Sequence, residues 1–168
     1  MIKISDTSDA DTRTVIKNSF CPMTKERLLD ASERHIEEVR ETLNWIADLI
    51  ISRGENHDWD KLASPIFVRD FLDSVKENKD FTKTEWYESH YTMQRHHRVN
   101  DLKDVTLIDL LEYIVDFTTA KVGRTRARSD DAAKGIADPI FMNITQDTIV
   151  NAFYNTVHMV ENNLTFEN

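Results

Sequence analysis

The sequence predicts an all-α protein, a compact bundle of about six helices, from three features. Gly and Pro number only three each, and so few breakers suit long helices better than a turn-rich β sandwich. Apolar residues recur at steps of three and four through the long stretches, the period of an amphipathic helix. No segment alternates apolar and polar residues strongly enough to predict a strand, and no internal repeat is present. At 168 residues the chain fits one domain with a real core.

Residues 1–22 are rich in Asp, Ser and Thr and weak in apolar periodicity, so they read as a flexible lead-in; residues 23–168 read as a single helical domain. The first helix is expected from about Thr24, its N-cap, to Ser52, with Gly54 as a φ > 0 stop. Its apolar stripe is Leu28, Val39, Leu43, Ile46 and Ile50, and His35 falls in that stripe. After the linker from Glu55 to Lys61, Ser64-Pro65 reads as N-cap plus first helical residue of a helix to about Asn78. Phe67, Val68, Phe71, Leu72 and Val75 would form its buried side. Thr84 caps a third helix through Trp86 and His90, broken over Arg95 to Asn100. Thr106-Leu107-Ile108-Asp109 matches a capping box with a shorter acid and opens a helix closed by Gly123. Ser129-Asp130-Asp131 opens a short helix ending at Gly135. Thr145 opens the last one, with Ile149, Phe153, Val157, Val160 and Leu164 as its stripe.

Composition excludes several classes. A formal net charge of −9 argues against general nucleic-acid binding, which needs Lys and Arg to neutralise phosphates; a small phosphorylated ligand in a locally basic pocket stays compatible. The single cysteine, Cys21, fits a reducing compartment and reads as a small apolar residue. No apolar run approaches bilayer length, and the first twenty residues hold no secretory core, so a cytoplasmic location is expected. Gly-rich phosphate loops, nucleophile elbows and paired-cysteine zinc patterns are missing from the sequence.

The chemistry-bearing residues are six histidines and their acidic neighbours. In chain order they run His35, His57-Asp58, His90, His96-His97, then Asp116, with His158 apart on the last helix. Imidazole and carboxylate together suit divalent Zn, Mn, Fe, Co or Ni. An adjacent His-Asp pair can send both side chains to one cation, or let the carboxylate bridge two. The same pair can also simply cap the next helix. Asp109, Glu112, Tyr113 and Asp116 share one helical face, so Asp116 is either a ligand or part of a solvated acidic stripe, with Asp109 as the fallback ligand.

This order resembles the HD-domain superfamily, whose His…His-Asp…Asp ligands sit on packed helices. The matching residues are His35, His57-Asp58 and Asp116. The wider pattern is similar to uncharacterised bacterial and phage HD-like proteins. It comprises His57-Asp58-Trp59-Asp60-Lys61, Trp86 with His90, His96-His97, and Glu112 with Asp116, and spans roughly Leu28 to Arg126. The resemblance implies an HD-domain-like bundle holding one or two divalent transition metals and hydrolysing a nucleotide or another small phosphoester. Its implied ligands are His35, His57, Asp58 and Asp116. His90 and His97 are expected to help at a second metal, because adjacent helical side chains point about 100° apart and only one of His96 and His97 should reach a given ion. His96 would then contact substrate. Glu112, one turn before Asp116, could hold a ligating imidazole from behind. Asp58 would orient or bridge the nucleophile. Lys61 is either a surface lysine or a partner for developing charge. Arg124 and Arg126 either satisfy a helix C-terminus or grip phosphate. Two alternatives from other classes stand beside this reading: a di-iron oxygenase on the same scaffold, and a non-catalytic, phage-type helical interaction protein acting in a host cytoplasm.

Overall fold

The computed structural model describes residues 2–5, 24–125, 140 and 143–167. Most of the lead-in, Cys21, and the short helix expected at 129–135 lie outside the described residues. The fold is all-α apart from one pair of short strands. The elements in order are β1 (Ile2–Ser5), α1 (Lys25–Asn56), α2 (Trp59–Ala63), α3 (Pro65–Glu77), a 3-10 turn (Phe81–Lys83), α4 (Glu85–Met93), a second 3-10 turn (Arg95–Arg98), α5 (Leu107–Thr125), α6 (Gln146–Glu161) and β2 (Leu164–Glu167). Internal contacts group the chain into two compact units, residues 1–50 with 157–168, and residues 51–156.

In the first unit, β1 and β2 pair in parallel, Ile2 opposite Leu164, and the Ile2 amide donates to the Asn163 carbonyl at 2.9 Å. Thr24 caps α1 as expected, accepting from the Arg27 amide at 3.3 Å. The stripe on α1 does not behave as a core stripe. Leu28, Val39 and Leu43 are exposed, and Ala31 is the buried residue of the helix.

The second unit carries the capping chemistry that the sequence predicts. Ser64 accepts from the Ile66 amide with Pro65 behind it, and Thr84 accepts from the Tyr87 amide. Thr106 and Asp109 complete the expected reciprocal box: the Asp109 amide donates to Thr106 Oγ1 at 3.3 Å, and the Thr106 amide to Asp109 Oδ2 at 2.8 Å. Two stops differ from expectation. Gly54 lies inside α1, which runs on to Asn56; the left-handed residue is Asp58, at φ 51°. Gly123 likewise lies within α5, which continues to Thr125.

Among the described residues, one buried apolar cluster of this unit joins Val99, Val105, Leu110 and Ala152, flanked by Leu102, Tyr113 and Ile144. The unit's helices also dock through polar groups. On α3 the buried residues are Asp70 and Ser74, whereas Val68, Phe71, Leu72 and Val75, expected inside, are exposed. Asp70 makes an end-on contact. Asp70 Oδ2 accepts the Trp86 amide at 3.1 Å, placing a carboxylate on the first turn of α4, where the helix dipole favours it. Phe67 packs on Trp86 beside it, ring centroids 4.5 Å apart. On α6 the buried residues are Thr148 and Ala152, while Ile149 and Phe153 of the expected stripe are exposed.

Candidate metal centre

The centre is assembled within the second unit from α1's C-terminal end, the residue joining it to α2, and α4, the second 3-10 turn and α5. Asp58 sits between α1 and α2 with φ 51° and ψ 26° and makes no side-chain cap bond. A non-glycine residue held left-handed costs about 1–2 kcal/mol, and such residues gather where a function fixes the backbone. The turn leaves the Asp58 carboxylate free of capping work and turns it toward imidazoles. Its Oδ1 lies 3.5 Å from both His90 Nε2 and His96 Nε2, and its Oδ2 lies 3.5 Å from His57 Nε2.

Among the described residues, two groups of side chains could each hold a metal ion: His57, His96 and Asp116, and Asp58, His90 and His97. Within each, the donor atoms lie within 4.8 Å of one another. Asp116 Oδ1 is 3.5 Å from His57 Nε2, and His90 Nε2 is 2.9 Å from His97 Nε2. His96 is fully buried and its Nε2 has no hydrogen-bond partner, nor has Asp58 Oδ1. Buried polar atoms without partners are rare and costly, and here they face one another across a space that a cation would satisfy. Asp58 belongs to the second group and borders the first, the placement of a bridging carboxylate.

Outer carboxylates stand behind three imidazoles and hydrogen-bond two of them, His57 and His90; His96 Nδ1 is near Glu112 without a hydrogen bond. Glu112 Oε1 lies 3.0 Å from both His57 Nδ1 and His96 Nδ1. Asp60, buried, meets His90 Nδ1 at 2.9 Å and accepts from Gln94 Nε2 at 2.9 Å. Such partners fix the tautomer that leaves Nε2 free for a metal and orient the ring.

The electrostatics match. Burial opposes charging His57, but its hydrogen bond to Glu112 and the fields of Asp58, Asp116 and Glu112 outweigh that and raise its pKa. Without a cation the surrounding carboxylates thus draw a proton onto His57; a metal ion would supply the same positive charge and release it. Burial, together with His96 and His90 beside it, pushes His97 down to about 4, which keeps it neutral and fit for ligation at pH 7. Burial alone would raise Asp58 and Glu112. Lys61, with its bond and charge, and the histidines turn Asp58 downward; His96, His57 and Arg53 do the same for Glu112.

Of the residues that the sequence suggests as ligands, His57, Asp58, His90, His97 and Asp116 come together. His35 is in neither group: it is exposed on α1 in the first unit, on a helix whose apolar stripe is itself exposed. Its alignment with that stripe therefore carried no information about an inward direction. His96, expected at substrate, is a ligand candidate. The two neighbours His96 and His97 lie in a 3-10 turn, not an α-helix, and they fall in different groups. Lys61 pairs with Asp58 rather than with Asp60 or Glu55. Arg124 lies in the last turn of α5, but its side chain is outside the described ones, as is the whole of Arg126. Asp60, Gln94, Arg95 and Arg53 are contributors that the sequence reading missed. The one available signal was position: each lies within four residues of a candidate ligand histidine.

The chain matches no family model, no curated protein and no solved structure. No helix among the described residues is long and apolar enough to cross a membrane.

Proposed function

We propose that this protein is a dinuclear, metal-dependent phosphohydrolase of HD-like type, acting in the cytoplasm on a nucleotide or another small phosphoester. One observation carries the reading: the two oxygens of Asp58 face imidazole nitrogens of two different metal-binding groups. Two cations held roughly 3.5–4 Å apart clamp the attacking and leaving oxygens of a phosphoryl displacement, and a bound water becomes acidic enough to attack near neutral pH. Asp58 keeps the pair together. His96 takes the place that the HD resemblance gives to His35. His57 and Asp116, whose side chains are each 29% exposed, form the open edge where a phosphoryl group enters. Lys61, beside Asp58, offers its ammonium to the phosphoryl oxygens as charge develops.

The test is elemental analysis of protein purified without a His tag, followed by phosphate release from a panel of nucleotides with added Mn, Co or Ni. The reading requires bound metal in the native protein, and loss of both metal and turnover in Asp58→Ala. Unchanged metal content in that variant overturns it.

A di-iron oxygenase on the same scaffold is the second reading. Oxidisable rings stack on both imidazoles of the second group: Trp86 on His90 at 4.6 Å and Tyr91 on His97 at 5.9 Å. Iron as the native metal together with substrate-dependent oxygen consumption would select that reading over hydrolysis.

A further inference from the structure

We propose that Asp109 is not a metal ligand but a positioning residue of the His57–His96–Asp116 group, a buried anchor to which all three ligand-bearing segments are tied. The proposal rests on the metal-centre reading above. Asp109 is completely buried, and it belongs to neither metal-binding group. Its carboxylate accepts five donors. Oδ1 takes Arg95 Nε at 2.8 Å and Arg53 Nη2 at 3.1 Å; Oδ2 takes Arg95 Nη2 at 2.9 Å, the Thr106 amide at 2.8 Å and Thr106 Oγ1 at 2.9 Å.

The origin of those donors matters. Arg53 lies one helical turn before His57, near the end of α1. Arg95 directly precedes His96 in the second 3-10 turn. Asp109 itself lies on α5, seven residues and therefore about two turns before Asp116, on the same face. Each ligand of this group thus descends from a segment that Asp109 grips. Arg53 also stands in the field of Glu112, its Nη1 3.8 Å from Oε2, and Glu112 Oε1 hydrogen-bonds His57 Nδ1 at 3.0 Å. His90 reaches the other group from α4, through Asp60 instead. A buried carboxylate is tolerated only while its charge is matched by close donors. The two guanidinium groups therefore hold a fixed geometry around it, Arg95 through a two-pronged contact.

The probe is Co²⁺ alone, titrated into the full chain and followed by equilibrium dialysis and by the visible absorption of the bound ion. Asp116→Ala and His90→Ala identify which spectral step belongs to which group. Asp109→Asn keeps the size of the side chain but cannot neutralise two guanidinium groups. It is expected to weaken the first group's affinity about 10–100-fold, the range seen when a residue supporting a metal ligand is lost, with a smaller change at the second. Arg53→Gln, at a half-exposed position, should shift the same step in the same direction by less. Ala152→Gly, a buried core position on α6, a helix that supplies no residue to either metal group, serves as the stability control: its melting temperature falls while both affinities stay.

The inference is overturned if Asp109→Asn binds both ions as the wild type does. It is equally overturned if its loss of affinity is no greater than that of Ala152→Gly at matched loss of melting temperature. Should Asp109→Asn fail to fold, Arg53→Gln decides, and an unchanged first step sinks the idea. A wild type that takes up no Co²⁺ defeats the metal-centre reading and this inference together. Two ions bound normally by both wild type and Asp109→Asn defeat this inference alone.

Discussion

Asp60 holds His90 from behind: its Oδ2 lies 2.9 Å from His90 Nδ1, on the ring edge opposite the nitrogen that faces Asp58 and His97. Both residues are buried. Asp60→Ala should therefore act at the second metal-binding group without removing any of its ligands. It leaves His90 Nδ1 and Gln94 Nε2 without their acceptor, a loss of about 1–3 kcal/mol in unfolding free energy. Metal affinity at that group should fall about 10–100-fold. Urea denaturation of the metal-free protein and Co²⁺ titration separate the two effects. An unaltered titration would show that His90 is held well enough by Trp86, which stacks on it, and by the rest of α4.

Asp58→Ala is expected to differ in kind. The substitution removes the only carboxylate of the second group and the one that borders the first. Metal content should drop from two ions toward none, and turnover with it. The left-handed backbone at this position gives a second readout. Asp58→Gly relieves about 1–2 kcal/mol of conformational cost, so the metal-free glycine variant should melt higher than the metal-free alanine variant. Equal melting temperatures would mean that the turn relaxes once the carboxylate is gone.

Much of this architecture was readable from residue order. Ser64, Thr84 and the Thr106–Asp109 pair marked helix starts, because capping is a local interaction of a few neighbouring residues. The candidate ligands His57, Asp58, His90, His97 and Asp116 were readable mainly because their order resembles the HD-type set; taken singly, each also had an ordinary structural role open to it. What escaped depends on tertiary direction. The apolar run on α3 gave no hint that Asp70 would be the inward residue, since the Trp86 amide it meets lies sixteen residues later. His35 shared a stripe with apolar residues that are themselves exposed. The strand pair was hidden because each strand has only four residues and the partners stand at opposite ends of the chain.

That reversal on α3 is itself testable. Leu72→Ser and Val68→Ser, on the exposed side, should each change stability by no more than about 0.5 kcal/mol. Asp70→Ala should lower the melting temperature measurably more than either, since it strips the first turn of α4 of its acceptor and Arg69 of its partner. A larger loss from Leu72→Ser than from Asp70→Ala would restore the apolar side as the docking face.

The pH response should have opposite signs with and without metal. The pKa of His57 is raised in the folded protein, so its contribution to stability is present below the unfolded value, near 6.5, and is lost as pH rises through the folded value. His97 has a folded value of about 4, so its contribution grows between about 4 and 6.5 and is complete above that. The carboxylates Asp58, Asp109 and Glu112 are lowered, and their contributions are complete above the ordinary carboxylate range. Above pH 6.5, then, His57 governs this set of groups. With a chelator present, melting temperature should decline slightly as pH rises from 6.5 to 8. With Mn²⁺ present it should rise, because deprotonation of His57 favours the ion and ligand binding to the folded state stabilises it. His57→Gln should flatten the chelated curve. A chelated wild type whose melting temperature climbs across that window would mean that His57 is already neutral without metal, and that the carboxylates around it do not hold a proton in the ion's place.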